Sequence, residues 1–375
     1  MIIGVLKERI PETRVSLVPE VVSALVKMNV TIWIEKDAGV ASFYFDKLYT
    51  DAGAVIKSAD EILASADMVL TINAGSNITK AKQGAVLLGI FQPLFNFEQM
   101  EDLAGKGYTV FSMDTIPRTT RAQSMDVLSS QANIAGYKAV LLAATQYCRY
   151  FPMFMTAAGS IPPAKVLILG AGVAGLQAIA TAKRLGAVVE VFDTRPAVKE
   201  EVMSLGAKFV EVEGAADASK AGGYAVEQSD DFQRRQREKI HEHARKSDII
   251  ISTAQIPGKK APILITKAMI EDMRPGSLIV DLASVTGGNT DLTENDKTVM
   301  HNGVSIIGNS ALAATAPADA SKVYSKNVLN FAKLIIDKDG NLNLNFEDDI
   351  VKGTCITNGG KIINERVLSL TGVKA

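Results

Sequence analysis

Short apolar runs alternate with stretches of helical composition along the whole chain. Five runs fill the first third, at residues 2–6, 30–34, 68–72, 85–90 and Thr109–Ser112. A second series follows at Lys165–Leu169, Val188–Phe192, residues 248–253, Leu278–Asp281 and residues 305–307. Strands that alternate with helices predict parallel sheets covered by helices. We therefore expect an α/β protein with two doubly wound domains.

A long helix is predicted at residues 126–151, which contain few helix breakers and place Ala, Leu and Tyr at helical spacing. Pro162 and Pro163 then mark the end of the segment that connects the two domains. We expect the first domain to comprise residues 1–127 and 318–375, and the second to comprise residues 128–317. A cleft between two such domains is a common ligand-binding place, and we expect one here.

The C-terminal part of the chain is expected to return to the first domain. Residues 319–336 have the composition of a helix, and residues 342–363 predict a hairpin around Gly340 and Gly353. The first domain would then be discontinuous in sequence.

A glycine-rich turn, Gly170-Ala171-Gly172-Val173-Ala174-Gly175, follows the strand-like run Lys165–Leu169 and precedes a helix-like run at residues 176–185. Gly170 permits a tight turn, Gly172 lets the backbone approach a pyrophosphate, and Gly175 lets the helix pack closely against the strand. The N–H groups at the start of the helix attract phosphates. The pattern is typical of a Rossmann-like dinucleotide site.

Asp193 ends the next strand-like run and bears on the choice of cofactor. Its carboxylate can accept hydrogen bonds from an adenosine ribose and would repel a 2′-phosphate. Arg195 argues the other way, because arginine near this position can bind a 2′-phosphate. With Asp193 in place, we predict NAD(H) as the bound cofactor.

The composition describes a globular protein with no electrostatic preference for polyanions. Of 375 residues, 47% are hydrophobic, and 40 basic against 41 acidic residues leave a net charge of -1. Nucleic acid and anionic membranes are therefore not expected partners. The N-terminus lacks a secretion signal, and no apolar run is long enough to span a bilayer. Cys148 and Cys355 are expected to be buried reduced thiols in a cytosolic protein.

One long irregular segment, residues 213–231, is rich in Gly, Ala, Ser and Asp and contains Gly222-Gly223-Tyr224. Such segments are lids or passive insertions, and we favour a mobile lid. The next stretch, residues 233–246, carries alternating charges together with His241 and His243. We interpret both histidines as solvated residues on a helix face. No metal site is predicted.

A polar loop, residues 117–131, precedes the long helix and ends in a possible helix cap. Asp126 can cap the helix, or it can pair with Arg118 or Arg121. The residues by themselves leave these interpretations open.

At this point the chain closely resembles the NAD(H)-binding first component of the proton-translocating nicotinamide nucleotide transhydrogenases. The match extends over essentially the whole chain, and it is the order of many short motifs that makes it specific. These motifs are Lys7-Glu8-Arg9, Thr13-Arg14-Val15, Arg121-Ala122-Gln123-Ser124-Met125-Asp126, Thr156-Ala157-Ala158-Gly159, Pro162-Pro163-Ala164, the glycine-rich turn, Asp193-Thr194-Arg195-Pro196, Gly222-Gly223-Tyr224-Ala225, Ile256-Pro257-Gly258-Lys259, Asp281-Leu282-Ala283 and Gly287-Gly288-Asn289.

The resemblance implies roles at the nicotinamide end of bound NAD(H). Gln123 would lie at the junction with NADP(H) held by a partner, and Arg118 and Asp126 would form an organising ion pair. Ser129 would bind the nicotinamide carboxamide. The implied reaction is direct hydride transfer from NADH to NADP⁺, which requires no general base.

The resemblance also adds to the expected nucleotide contacts. Tyr224 would belong to a mobile loop that closes over the nucleotide, with Gly223 and Gln236 near the adenosine. Thr194 and Gln255 complete the expected set, although Gln255 stands where the family usually has leucine.

Two alternatives remain. Alanine dehydrogenase resembles this family in fold, but it needs an arginine, a lysine and a histidine to anchor its substrate and transfer protons. Arg14 matches the arginine, Thr71 stands in place of the lysine, and no histidine occurs at residues 89–93. A non-catalytic NAD(H)-binding module is the second alternative, because Thr71, Gln255 and the Ala-rich residues 309–317 depart from the transhydrogenase pattern.

The resemblance finally implies an assembly. No membrane domain follows Ala375, so NADP(H) binding and proton translocation are expected on partner subunits. We expect a homodimer, with residues 319–363 as a source of apolar dimer surface. The chain would be cytoplasmic, attached peripherally to the inner membrane through membrane-spanning partner subunits, with no membrane insertion of its own.

Overall fold

The computed structural model describes residues 1–73, 75–212, 214 and 229–369. The chain divides into two compact units. The first unit is Met1–Gln131 with the C-terminal segment from Ala314, and the second is Ala132–Ala313. Each unit contains one large, mostly parallel sheet covered by helices, and a long helix runs from the first unit into the second. The predicted α/β class with two doubly wound domains is confirmed.

The described strands, in chain order, are β1 Ile2–Val5, β2 Thr31–Glu35, β3 Val55–Lys57, β4 Met68–Asn73, β5 Val86–Ile90, β6 Thr109–Ser112, β7 Phe154–Thr156, β8 Gly159–Ile161, β9 Lys165–Leu169, β10 Val188–Phe192, β11 Lys208–Phe209, β12 Ile249–Ser252, β13 Leu278–Asp281, β14 Lys297–His301, β15 Val304–Gly308, β16 Cys355–Asn358 and β17 Lys361–Ile362.

The described helices are α1 Pro19–Val26, α2 Asp46–Asp51, α3 Ala59–Ser65, α4 Phe97–Gly105, α5 Val127–Gln146, α6 Val173–Arg184, α7 Lys199–Ser204, α8 Asp230–Ala244, α9 Lys267–Glu271, α10 Pro317–Ile335, α11 Asp349–Thr354 and α12 Glu365–Leu368.

The sheet of the first unit has the strand order β17-β16-β6-β5-β4-β1-β2-β3. Strands β1 to β6 pair in parallel, whereas β16 pairs antiparallel with both β6 and β17. The parallel strands are nearly continuous apolar runs because helices cover both faces of the sheet. Strand β3 was not expected, because it has only three residues, of which Val55 is exposed and the other two are half-exposed.

The sheet of the second unit has the order β11-β10-β9-β12-β13-β15-β14, and only β14 runs antiparallel. The centre of this sheet is buried, and Ile249, Ile250 and Ile251 of β12 are fully inaccessible to solvent. Strand β9 is central, between β10 and β12. The carboxyl end of β9 leads into the glycine-rich turn, at the edge where parallel α/β sheets bind ligands.

The connection after α5 differs from the expectation. The helix ends at Gln146 rather than at residue 151, and a separate hairpin of β7 and β8 follows. Pro152 disfavours helix at the residue before it, which limits how far α5 can extend. The prediction that Cys148 is buried is wrong, because this residue lies exposed beyond the helix end, whereas Cys355 is buried as expected.

The C-terminal segment returns to the first unit, where β16 pairs with β6, but the predicted hairpin was misplaced. Gly353 lies inside α11, and the chain reverses instead at Gly359 and Gly360. Both of these glycines have positive φ angles, which a tight hairpin turn requires and which residues with a side chain rarely adopt.

The prediction that His243 is solvated is also wrong, because this residue is buried and its Nδ1 lies 2.5 Å from a carboxylate oxygen of Glu190 on β10. Along α8, the buried residues Phe232, Gln236, Ile240 and His243 recur every three or four positions, which defines the face that packs on the sheet. The alternating charges of α8 hid this periodicity. His241 lies on the half-exposed side and contacts Asp272.

In the part of the chain that the structure describes, no helix combines the length and the apolar character needed to span a bilayer.

Helix α10 supplies part of the core of the first unit, so truncating one of its buried side chains should destabilise this unit. Phe331 is fully buried, and its ring meets Phe111 of β6 edge-on at 5.3 Å. We predict that Phe331→Ala lowers the free energy of unfolding of this unit by about 3–5 kcal/mol, because it leaves a cavity. Urea unfolding followed by the fluorescence of Trp33, the single tryptophan, measures this unit because Trp33 lies on β2.

The matched control is Lys333→Ala, an exposed change on the same helix that should cost less than about 0.5 kcal/mol. Equal effects of the two substitutions would contradict the packing described for α10.

Candidate functional site

The turn from β9 into α6 requires glycine at two positions. Gly170 has a φ angle of 102°, in the region that favours glycine. A residue without a side chain adopts this backbone conformation without strain. At Gly175, an added Cβ would lie 1.9 Å from the carbonyl oxygen of Gly170. The first turn of α6 therefore packs directly on the end of β9.

Gly172 has the opposite surroundings. An added Cβ there would meet no protein atom within 4 Å, so the space above this residue is open. Val173 begins α6 and is 40% exposed, and Ala174 follows in the same turn. The free N–H groups of this first turn offer hydrogen bonds and positive potential to an anion. The residues present fit the pyrophosphate of a dinucleotide.

Asp193 links the turn to the next strand. Its carboxylate accepts hydrogen bonds from the Ala171 N–H at 2.7 Å and from the Arg195 N–H at 2.8 Å. The Arg195 guanidinium donates to both carboxylate oxygens, at 2.9 and 2.7 Å, and these bonds raise the pKa of Arg195. Thr194 lies half-buried between them. The acidic and basic groups that argued for different cofactors thus form one ion pair.

Two further loops border this turn. Thr253, just after β12, donates its hydroxyl to the carbonyl oxygen of Gly170 at 3.2 Å. Gln255 is exposed, but its amide donates to the carbonyl oxygen of Leu282 at 3.0 Å, which ties the loop after β12 to the loop after β13. Gln236 is buried on α8. Gly223 and Tyr224 lie outside the described residues.

Two supporting residues were not predicted from the sequence. Asn289 is fully buried, and its amide exchanges hydrogen bonds with the backbone of Ala254 and donates to Pro262. Gly136 of α5 lets that helix approach α6, since a Cβ there would lie 2.1 Å from the carbonyl oxygen of Ala174. The only sequence signal for Asn289 was its place in the family motif. Gly136 gave none that points to a partner, because a single glycine inside a helical pattern is tolerated and does not show what packs against it.

The residues expected at the nicotinamide end lie in the first unit. Asp126 caps α5, because its carboxylate accepts from the Ser129 N–H at 2.9 Å and from the Ser129 hydroxyl at 2.6 Å. Arg121 binds Asp348 with two hydrogen bonds of 2.6 and 2.7 Å. The cap, one of the interpretations left open for Asp126, is therefore present, and Arg121 is paired with Asp348. Arg118 and Gln123 are exposed.

A polar cluster occupies the carboxyl end of the same unit's strands. Arg14 donates to both carboxylate oxygens of Glu12, at 2.8 and 2.7 Å, and to Gln131 at 2.7 Å. Burial opposes ionisation of Glu12, but the hydrogen bonds and charge of Arg14 lower its pKa. Thr71 donates its hydroxyl to Glu8 at 2.8 Å, and burial raises the pKa of Glu8. All three guanidinium nitrogens of Arg14 thus donate hydrogen bonds to protein side chains.

The fold and the glycine-rich turn define a protein of the dinucleotide-binding, dehydrogenase-like α/β class. Models of the alanine dehydrogenase/PNT N-terminal and C-terminal domains match residues 4–135 and 139–365. The chain belongs to this alanine dehydrogenase/PNT family.

Within this family, the chain is more similar to transhydrogenases than to alanine dehydrogenases. It is 47% identical to the first part of the NAD(P) transhydrogenase subunit alpha of Rhodospirillum rubrum, over 99% of each chain. A crystal structure of transhydrogenase from Sinorhizobium meliloti superposes with a TM-score of 0.88 and 43% identity, covering 97% of this chain and 100% of that one. The alanine dehydrogenase of Staphylococcus haemolyticus is 29% identical, over 90% of this chain and 88% of that protein. The resemblance inferred from the sequence motifs is confirmed.

The Asp193–Arg195 pair generates a prediction about cofactor choice. In Asp193→Asn, the amide keeps the shape of the side chain but loses its charge, so the Arg195 guanidinium loses its ion pair with residue 193 and can bind a 2′-phosphate more strongly. A hydrogen bond to a charged group contributes about 1.5–3 kcal/mol, so we expect the NADH-to-NADPH affinity ratio to fall by roughly 10- to 100-fold. Titration of reduced-nucleotide fluorescence measures both affinities.

The double variant Asp193→Asn/Arg195→Ala is the control, since it should lose the gain in NADPH affinity. An unchanged ratio in the single variant would contradict this account of the pair.

Proposed function

We propose that this chain is the NAD(H)-binding subunit of a proton-translocating nicotinamide nucleotide transhydrogenase. It holds NADH while a hydride passes directly to NADP⁺ bound on a partner subunit. The observation that carries the proposal is the glycine-rich turn closed by Asp193, in a chain that aligns over 99% of its length with the first part of a transhydrogenase subunit alpha. Membrane-spanning partner subunits couple the transfer to proton translocation.

The second unit binds the nucleotide in this proposal. The first turn of α6 and the open space at Gly172 receive the pyrophosphate, and Asp193 receives the adenosine ribose. Gly170, Val173, Ala174, Gly175, Thr194 and Arg195 shape this end of the site, with Gly223 and Gln236 near the adenosine. Tyr224 belongs to the loop that closes over the nucleotide, and Gln255 is a further nucleotide contact. The bound dinucleotide supplies the hydride from its dihydronicotinamide ring.

The first unit orients the reacting end. Ser129 binds the carboxamide, and Asp126 fixes the Ser129 hydroxyl through the 2.6 Å hydrogen bond. Gln123, exposed on the loop before α5, faces the partner's NADP(H), and Arg118 organises the same loop. Hydride transfer needs the two rings at about 3–3.5 Å, so the task of these residues is orientation and exclusion of water.

Oxidation of an amino acid is the competing activity, and the polar cluster of the first unit disfavours it. A substrate carboxylate would need Arg14, but Glu12 and Gln131 occupy that guanidinium. Proton transfer to an imine would need a base, and the position expected for the lysine is Thr71, which donates to Glu8.

The proposed location follows from the proposed partners. The relative from Rhodospirillum rubrum is named as one portion of an alpha subunit, which implies further portions. We place this chain in the cytoplasm, held at the inner membrane by the NADP(H)-binding and membrane-spanning subunits.

We also propose a homodimer, formed through the hairpin of β7 and β8. All six residues of these strands are exposed, and no charged side chain occurs between Tyr150 and Ala164. A two-stranded hairpin is marginally stable by itself in water, and an uncharged edge strand readily pairs with another chain. A two-fold axis would let the same edge pair with its copy.

The C-terminal segment was expected to supply dimer surface, but α10 is unsuited to this role. Its apolar residues Tyr324, Val328, Phe331 and Ile335 lie in the core of the first unit.

The proposed reaction is tested by mixing the purified chain with NADH, a thionicotinamide analogue of NADP⁺ and a purified NADP(H)-binding transhydrogenase component. We expect hydride transfer only when all three are present, because the two nucleotides must be held on separate components. The reduced analogue is followed by its absorbance. L-Alanine with NAD⁺ is the control substrate pair.

Turnover of alanine would overturn the proposal in favour of an amino-acid dehydrogenase. Binding of NADH without transfer in the complete mixture would favour a non-catalytic NAD(H)-binding module.

The dimer is tested by Met155→Glu, since Met155 is 73% exposed on β7. Burying an unpaired carboxylate costs several kcal/mol, so the dimer dissociation constant should rise by at least about tenfold. Analytical ultracentrifugation measures it. Met203→Glu is the matched control, because Met203 is 57% exposed on α7 of the same unit and should not affect association. A dimer of Met155→Glu as stable as the wild type would contradict the role of the hairpin.

A further inference from the structure

The loop that carries Gln123 is fastened to the first unit by the C-terminal segment. Arg121 forms its hydrogen bonds with Asp348, and it also contacts Asp349 of α11. The carbonyl oxygen of Ser124, the residue after Gln123, accepts hydrogen bonds from two side chains of α10. The loop is thus held on both sides of Gln123 by residues more than 200 positions away in sequence.

Asn327 is the buried member of this attachment, with a relative exposure of 7%. Its Nδ2 donates to the Ser124 carbonyl oxygen at 2.8 Å, and its Oδ1 accepts from the Ser130 hydroxyl at 2.7 Å. The orientation of the amide follows from the chemistry, because a carbonyl oxygen can only accept and must face the Nδ2. One side chain therefore joins the loop to the first turn of α5.

Asn330 makes a weaker version of the same contact. Its Nδ2 donates to the same Ser124 carbonyl oxygen at 3.1 Å, but it is only half-buried and is not hydrogen-bonded to α5 in the contacts described. The Arg121 pair is half-exposed at the arginine, and exposed ion pairs contribute little because solvent screens them. Asn327 is consequently the strongest of these attachments.

We propose that Asn327 is a positioning residue for hydride transfer. It fixes the Ser124 carbonyl, and with it the adjacent Gln123, relative to the helix start where Asp126 holds Ser129. The inference rests on the proposed function, in which Gln123 and Ser129 lie at the reacting end. A displacement of about 1 Å in such a site can slow the reaction by about 100-fold without removing a reacting group.

A positioning role separates turnover from nucleotide binding. The nucleotide-binding turn belongs to the second unit, whereas the side-chain hydrogen bonds described for Asn327 reach the loop and the start of α5. Loss of Asn327 should therefore reduce kcat while leaving the dissociation constant for NADH nearly unchanged. A residue that served stability alone would lower the unfolding midpoint and leave kcat intact for the folded protein.

The test compares three full-length variants with the wild type, each with the same purified NADP(H)-binding component. Asn327→Leu removes both hydrogen bonds, and Asn330→Ala is the matched control on the same helix. Asn327→Asp keeps the acceptor for Ser130 but places an oxygen against the Ser124 carbonyl. Trp33 fluorescence establishes the temperature at which each variant is folded, and kcat, KM and NADH affinity are measured below it.

We expect kcat of Asn327→Leu to fall by about 100-fold and its NADH dissociation constant to change less than about threefold, with Asn330→Ala within about threefold of the wild type in both. In Asn327→Asp, a protonated carboxyl can donate to the Ser124 carbonyl and an ionised one cannot. Its kcat should therefore recover as pH falls, relative to the wild-type profile.

Wild-type kcat in Asn327→Leu, or equal losses in Asn327→Leu and Asn330→Ala, would overturn the positioning role while the proposed function stood. A wild-type chain that fails to transfer hydride would instead contradict the proposed function itself. The two failures are distinguishable because the first requires an active wild type.

Discussion

The turn between β9 and α6 closes only because residue 175 has no side chain. With 1.9 Å between a hypothetical Cβ and the Gly170 carbonyl oxygen, any other residue would push the helix away from the strand. The helix start would then lose its place beside Asp193, whose carboxylate reaches back to the Ala171 N–H. The neighbouring loops depend on the same geometry, since Thr253 packs against Gly170 and Asn289 holds the loop that follows Thr253.

The sequence predicted the regular parts of this protein well, and the reasons are physical. Buried parallel strands are continuous apolar runs, so the central strands of both sheets were recognisable. The short strand β3 and the β7–β8 hairpin were missed because each strand has only three residues, which are half-exposed or exposed and show no alternation of buried and exposed positions. His243 was misjudged because charged residues surround it in sequence, although its buried neighbours lie three and seven positions before it.

The candidate site was only partly predictable. The glycine-rich turn and Asp193 are local in sequence, and their arrangement follows from the strand and helix that flank them. The cap of α5 by Asp126 was one of several interpretations that the residues left open, and the structure shows it. Asn327, Asn289 and the Arg121–Asp348 pair act across large separations in sequence, which no local pattern reveals. The roles assigned to the site residues remain predictions.

The discontinuous first unit also constrains the order in which the protein forms during synthesis. The last strand of the second sheet, β15, ends at Gly308, so every strand of that sheet exists before α10 is made. Domains generally fold as units while the chain grows. The second unit can therefore fold first, whereas Phe111 of the first sheet can pack against Phe331 only after α10 has been synthesised. The first unit would then be the later of the two to complete its core, and the nascent chain would carry an apolar sheet face that α1 covers only in part until the C-terminal segment leaves the ribosome.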